Sequence, residues 1–468
     1  MSDLLNQPLF WLYFSYISLV IATLLHMLYQ QRSPQNLMAW LLTLLLLPYL
    51  GVILYLFFGS RKFFKKRNKT LISIKSISDF QSGNTLAIET NKILCTNQIA
   101  GTTQDNHVQL FHNSQEAFST FLAAIENATS SIYIETYILE LDRTGNTILE
   151  ALTEKAKQGL EVCLLLDGIG SCPLYRNRSS LKEFKKHGGK ITFFNPVFRA
   201  LFSGQINLRN HRKIYLFDQV TLFTGGMNLS NDYLGDSHSD QPHWKDLLFK
   251  IEGPATSHYL NIFKEDWLFA TQQAIKTTAV SPSKQSNGTH QQVIQVVPSG
   301  PDIEGDPLFE TLLHSFYSAK QQIQIITPYF IPDSAVLNAL LIAIKRGVKV
   351  QLFTPETSDH LIFDLGRSSY MRELAEAGAE ILYYTDNMLH AKLVMIDRQV
   401  MLSGSANLDY RSLFINHEVA NFIYSDTLIK QTQNWIDQLK PNCIHYTPTP
   451  NRVRRLLENL TRIIAPIL

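Results

Sequence analysis

Two stretches of the chain, 210-NHRKIYLFDQVTLFTGGMN-228 and 389-LHAKLVMIDRQVMLSGSAN-407, carry the same polar residues on the same spacing. His211, Lys213, Asp218, Gly225 and Asn228 return as His390, Lys392, Asp397, Gly404 and Asn407. The offset is 179 positions in every case (390 minus 211, for instance), with no gap. Core packing alone has no use for a histidine, a lysine and an asparagine at fixed intervals. The repeat therefore marks one chemistry written twice on a duplicated scaffold.

Residues two apart on a strand share a face. His211 and Lys213 should thus project together, and likewise His390 and Lys392. Asp218 and Asp397 stand five positions beyond the lysines, an odd number, which turns them to the opposite face in a supporting role. A Gly-containing turn then allows Asn228 and Asn407 to come back to the same site.

The surroundings read as alternating strands and helices. In the first pass 130-SSIYIETYIL-139 is a strand, 145-GNTILEALTEKAKQGL-160 an amphipathic helix and 161-EVCLLLD-167 a buried strand. In the second pass 321-QQIQIITPYFI-331, 333-DSAVLNALLIAIKRGV-348 and 349-KVQLFTP-355 repeat that order. The predicted fold is α/β, two duplicated lobes of mixed sheet flanked by helices and related by a pseudo-two-fold. Lobe 1 covers 106–275 and lobe 2, with a basic C-terminal helix, 293–468; the polar stretch 276–292 links them.

The chain has 468 residues, 45% of them hydrophobic, and a net charge of +2, so no general affinity for nucleic acid is expected. Its four cysteines form no Cys-x-x-Cys pair, which argues against a structural zinc site and suits a reducing compartment. The N-terminus is unlike the rest. Residues 9–29 and 37–59 hold no charged residue, and each is long enough to cross ~30 Å of hydrocarbon at 1.5 Å per residue. The first run has neither a basic leader nor a small-residue cleavage site, so it reads as an anchor. Residues 1–60 are therefore expected to be a hairpin of two transmembrane helices. Segment 61–105 opens with 61-RKFFKKRNK-69, a cluster that places the lobes on the cytoplasmic side against an anionic phospholipid surface.

Two lysines, two histidines and two asparagines brought together suit a phosphate. The lysines supply as fixed charge what a metal ion supplies elsewhere, so no metal or cofactor is required. One imidazole can attack phosphorus while the other moves the proton of the departing and incoming alcohols. Each histidine needs a carboxylate on its second nitrogen. Asp246 and Glu418, one just after each motif, are the candidates.

The doubled H-x-K-x4-D with G-G/S-x-N resembles the phospholipase D superfamily, and within it the bacterial cardiolipin synthases. The likeness includes the hairpin, 207-NLRNHRKI-214, 298-PSGPD-302, 327-TPYFIPD-333 and 407-NLDYRSLFINHE-418. It implies an inner-membrane enzyme that transfers a phosphatidyl group from one phosphatidylglycerol to another, giving cardiolipin and glycerol. It further implies that His211, Lys213, Asp218, His390, Lys392 and Asp397 are catalytic, with His211 the nucleophile and His390 the acid/base. A hydrolase using water, or a transferase drawing on another donor such as phosphatidylethanolamine, would share these motifs, whereas the hairpin and the modest charge speak against a nuclease.

Three other features carry less weight. The Asp/His-rich loop 236–244 reads as a polar connection and not as a metal site. The apolar 193-FFNPVFRALF-202 either admits acyl chains or packs on its lobe. The tail 450–468 forms a basic amphipathic helix, with Val453, Leu456, Leu457, Leu460 and Ile464 on one face, that lies on a membrane or packs on lobe 2.

Overall fold

The structure, a computed structural model, describes residues 8–29, 34–58, 83–197, 200, 205–236, 243–275, 292–447 and 451–464. The cationic cluster 61–69, nearly all of the linker 276–292, most of the loop 236–244 and much of 198–204 lie outside these residues. The chain divides into two compact units, Met1–Lys66 with Phe198–Asn207, and Arg67–Val197 with Leu208–Leu468.

In the first unit α1 (Pro8–Tyr29) is a single apolar helix long enough to cross a membrane. The second predicted span differs from expectation. It is broken into α2 (Pro34–Leu46) and α3 (Leu50–Phe58). Pro48 lacks an amide hydrogen and its ring clashes with the preceding turn, so the helix stops there and restarts after Tyr49, whose φ is +60°. Met27, Leu44, Val52 and Tyr55 close a small core among the three helices. Trp11, Leu12, Phe14, Leu25, Leu28, Leu45 and Leu46 are exposed, the outward apolar surface that a bilayer would cover.

The second unit is built on one sheet of 15 strands among the described residues. Lobe 1 contributes β1 (Thr103–Phe111), β2 (Ser131–Thr136), β3 (Glu161–Asp167), β4 (Lys190–Phe194), β5 (Ile214–Phe217), β6 (Thr221–Gly225) and β7 (Leu248–Glu252). Lobe 2 contributes β8 (Gln292–Ser299), β9 (Gln322–Ile326), β11 (Lys349–Pro355), β12 (Glu380–Tyr384), β13 (Leu393–Ile396), β14 (Val400–Gly404), β16 (Glu418–Ile423) and the edge strand β17 (Cys443–His445). The short β10 (Phe330–Ile331) and β15 (Leu408–Asp409) pair separately.

The antiparallel β1–β8 pair is a seam. Outward from it the order is β1-β7-β6-β5-β2-β3-β4 on one side and β8-β16-β14-β13-β9-β11-β12 on the other. These are the same topology run twice, as a pseudo-two-fold requires. The parallel strands β2, β3, β9 and β11 are covered on both faces, which is why they read as nearly unbroken apolar runs. One core holds Tyr133, Ile214 and Leu216 of lobe 1 together with Ile323, Ile325 and Leu393 of lobe 2, so the lobes fold around shared apolar surface.

Candidate active site

Both motif histidines lie just before a central antiparallel strand, β5 in lobe 1 and β13 in lobe 2. The connection from β5 to β6 is tight, with Asp218 at φ +51° and Gln219 at +64°; Asp397 and Arg398 repeat it at +51° and +54°. Aspartate tolerates this left-handed backbone better than most side chains. The Asp218 carboxylate accepts hydrogen bonds from the amides of Thr129, Ser130 and Ser131 at 2.7–3.1 Å. Asp397 accepts from Lys320, Gln321 and Gln322 at 2.8 Å. Both aspartates thus tie the β5 and β13 turns to the start of the neighbouring strand, at the end remote from the histidines. The contacts are those of supporting groups, as the strand period led one to expect, whereas the family resemblance counts both aspartates with the catalytic set.

The lobes exchange backbone at the site. The amide of His211 donates to the carbonyl of His417 at 2.9 Å, and that of His417 to Arg209. In the mirror contact the amide of His390 donates to the carbonyl of Lys245 at 2.8 Å, and that of Lys245 to Met388. The orienting carboxylates follow the same exchange. His211 Nδ1 is 3.1 Å from Glu418 Oε2, and His390 Nδ1 is 2.6 Å from Asp246 Oδ2. Asp246 and Glu418 each directly follow the residue that pairs with the opposite lobe, so each orients the histidine of the lobe it does not belong to. The sequence named the two carboxylates and left open which histidine each one serves.

Supporting contacts are duplicated as well. Lys213 Nζ donates to the carbonyl of His211 at 2.8 Å, and Lys392 Nζ to that of His390. Thr224 and Ser403 hydroxyls donate to the carbonyls of Lys213 and Lys392, both at 2.8 Å. Two positions further on the halves diverge. A Cβ on Gly226 would come within 2.2 Å of the Asp246 carboxylate, so glycine leaves room for that group. Its counterpart Ser405 donates its hydroxyl to Glu418.

The histidines also differ in their walls. His390 is packed edge-on by Tyr233, at 5.0 Å between ring centroids, and lies beside Trp244 at 5.3 Å. Its Nε2 has Lys392 Nζ at 3.1 Å and the Tyr233 hydroxyl at 3.5 Å. His211 meets Tyr137 alone, at 5.0 Å, and its Nε2 has no protein partner among the described residues. The His211 side chain is 13% exposed against 5% for His390. Asn228 accepts a long bond from the amide of Ile138 at 3.4 Å. The Asn407 side-chain oxygen, an acceptor, is buried without a partner among the described residues.

Burial lowers Lys213 to about 7 and Lys392 to about 8, in spite of the nearby carboxylates. Burial and then Lys392 bring His390 down to about 4; His211 is lowered by burial too, with Lys213 adding to the effect and Glu418 opposing it. Burial pushes Asp246 and Glu418 up, but the lysine and histidine beside each outweigh it and hold both below the usual carboxylate range. Charges of one lobe act on the other: Glu418 and Lys392 on Lys213, and Asp246 on Lys392. The two pairs therefore belong to one electrostatic cluster. At neutral pH it holds neutral imidazoles and two carboxylates, with Lys392 mostly charged and Lys213 near its midpoint.

Beneath the site lies a network that motif spacing did not reveal. Arg212, between His211 and Lys213, points to the other face of the chain and is wholly buried. Its Nη1 is 2.6 Å from Asp266, its Nη2 is 3.2 Å from Asp302, and its Nε donates to the carbonyl of Glu418 at 3.1 Å. His417 Nδ1 lies 2.7 Å from Asp302. Asp266, Asp302 and His417 cluster closely enough to suggest a metal site, but the guanidinium of Arg212 already sits on both carboxylates as their cation. In the sequence, 298-PSGPD-302 contains Asp302 of this network, whereas Asp266, on helix Ala255–Thr271, gave no signal.

Comparison with known proteins agrees with this geometry. A family model described as "Cardiolipin synthase, PLD-like domain" matches residues 121–267 and 312–440, and one described as "Phospholipase_D-nuclease N-terminal" matches 18–60. The chain is 34% identical to "Cardiolipin synthase 1" of Bacillus anthracis, with 94% of this chain and 90% of that protein covered. It is 30% identical to "Major cardiolipin synthase ClsA" of Bacillus subtilis, covering 94% and 95% respectively. Among solved structures, a phosphatidylserine synthase from Haemophilus influenzae matches 82% of this chain and all of its own with a TM-score of 0.58. At 16% identity that likeness concerns the fold alone.

Proposed function

The chain belongs to the PLD-like cardiolipin synthase family, a membrane-associated group of phosphatidyltransferases, and from that premise we propose a double displacement on two molecules of phosphatidylglycerol. The Nε2 lone pair of His211 attacks phosphorus of the first lipid. The bond to the headgroup oxygen breaks, His390 protonates that oxygen, and glycerol leaves a phosphatidyl-histidine behind. The terminal hydroxyl of a second phosphatidylglycerol then gives its proton to His390 and attacks the same phosphorus, releasing His211 and cardiolipin. Lys213 and Lys392 hold the non-bridging oxygens, with Asn228 and Asn407 as amide donors. Asp218 and Asp397 position the strands, and no metal is needed in this scheme.

The observation that carries the assignment of roles is the difference between the two imidazoles. Glu418 holds Nδ1 of His211 and leaves Nε2 unpartnered, the state a nucleophile needs. His390 is walled in and faces an ionised Asp246. With Lys213 near its midpoint against two carboxylates, a monoanionic phosphodiester favours entry together with a proton. That negative charge opposes the lysines that keep His390 neutral, and Asp246 stabilises the imidazolium that forms.

The proposal has a pH signature. As pH rises past about 7 Lys213 loses its proton in the free enzyme, followed by Lys392 near 8. The kcat/KM for phosphatidylglycerol should therefore fall above neutrality. Bound phosphate raises both lysines, so kcat should decline only at higher pH. A kcat/KM still climbing at about pH 9 would contradict the lysine assignment.

For orientation, α1 and the broken α2–α3 run are proposed to form a membrane hairpin, with the lobes held on the cytoplasmic side by 61-RKFFKKRNK-69. The test of the reaction itself is product analysis with purified enzyme and headgroup-labelled phosphatidylglycerol as the sole lipid. One labelled glycerol per cardiolipin is expected. Phosphatidic acid as the sole lipid product would make the enzyme a hydrolase instead.

A further inference from the structure

The C-terminal helix Arg452–Ile464 is amphipathic in the ordinary sense but docked the wrong way round for a soluble protein. It packs on the helix Leu361–Ala377 through charged groups. Arg372 bonds the buried Glu458, and Arg462 bonds Glu373 at 2.6 Å and Ser369 at 2.9 Å while lying over the ring of Tyr370. Its apolar side faces away from the protein. Val453 is 69% exposed, Leu456 60%, and Leu457 and Leu460 49% each. A helix that buries a glutamate and displays three leucines has been built for a second, apolar environment.

Charge and position identify that environment. By helical spacing Arg452 and Arg454 stand at the two edges of the apolar stripe, and both are exposed. Two copies of this face brought together would oppose like charges, whereas anionic lipid headgroups complement them. The helix also crosses its partner antiparallel, Glu458 meeting Arg372 and Arg462 meeting Ser369, so its C-terminal end runs toward Leu361. Leu361 and Ile362 are themselves 75% and 49% exposed. Just before them Asp359 accepts a hydrogen bond from Tyr329 at 2.5 Å, and the adjoining Phe330 pairs with Leu408, next to the motif residue Asn407, which places this apolar edge beside the active site.

We propose that the outward face of Arg452–Ile464, continued by Leu361 and Ile362, is a membrane-docking surface that seats the catalytic unit on an anionic bilayer beside the entrance used by lipid substrate. The substrate part of this statement rests on the reading above; the docking part does not. The test uses the full chain carrying benzoylphenylalanine at Leu456, reconstituted in vesicles that contain a tagged phosphatidylglycerol. Illumination should attach the tag to the protein without any need for turnover. A crosslink to a second copy or to the chain's own N-terminal helices, or no crosslink, overturns the proposal. As a kinetic arm, Leu456→Glu combined with Leu460→Glu should raise the surface-concentration KM roughly tenfold and leave kcat unchanged. An unchanged KM, or a loss confined to kcat, counts against docking.

Discussion

His211→Ala removes the nucleophile and should lower cardiolipin formation by roughly 10⁴- to 10⁶-fold, the range seen when an enzyme that works through a covalent intermediate loses its attacking group. Folding should be intact, because the His211 side chain is partly exposed at the site and the backbone contact with His417 survives the change. His390→Ala should also be severely impaired, by about 10²- to 10⁴-fold, for a different reason: the departing glycerol oxygen lacks a proton donor. The two losses separate on a phosphatidyl ester of p-nitrophenol, whose leaving group needs no proton. His390→Ala should release a burst of nitrophenol and retain a phosphatidyl group on the protein, and His211→Ala should give no burst. The opposite pattern would exchange the roles of the two histidines and leave the reaction standing. A burst from both variants would remove the covalent mechanism.

The division of labour between those histidines shows what the sequence could and could not convey. The repeat at a fixed offset was legible because residues on a strand keep a two-residue period, and because five polar or small types in register need a shared cause. The same period put Asp218 and Asp397 off the catalytic face, where their oxygens hold the amides of 129–131 and 320–322. The elements around them were legible too: Glu161–Asp167 and Lys349–Pro355 fall where apolar runs with β-branched or aromatic content ended at turns. The exchange of Asp246 and Glu418 between lobes was not. Adjacency in sequence says which loop a carboxylate leaves from, and only the β1–β8 seam decides which lobe it reaches. Hydropathy likewise counted a continuous second span through 37–59, since Pro48 is one residue in an apolar window; its missing amide is a local fact that an average conceals.

Arg212 was hidden by the motif itself, as the residue between His211 and Lys213, yet its replacement should have the largest effect on stability. The guanidinium is fully buried against Asp266 and Asp302, with Glu135 close by. Burial and the charge of Asp266 raise Glu135 well above the usual carboxylate range, and the arginine faces the other two carboxylates. Arg212→Met keeps much of the apolar stem and deletes the cation. Two carboxylates are then left buried without the guanidinium that faced them. Breaking a buried ion pair from one side costs about 3–5 kcal/mol, because the uncompensated charge remains. Denaturant unfolding of the detergent-solubilised chain should report a loss of that size, and a change below about 1 kcal/mol would show that the network contributes little. Adding Asp266→Asn to Arg212→Met supplies the control: with one orphaned charge gone, part of the stability should return. The arginine also donates to the carbonyl of Glu418, whose carboxylate orients His211. Even where Arg212→Met folds, it should therefore lose kcat, and the Asp266→Asn partner should restore stability without restoring that loss, since the bond to Glu418 is still missing.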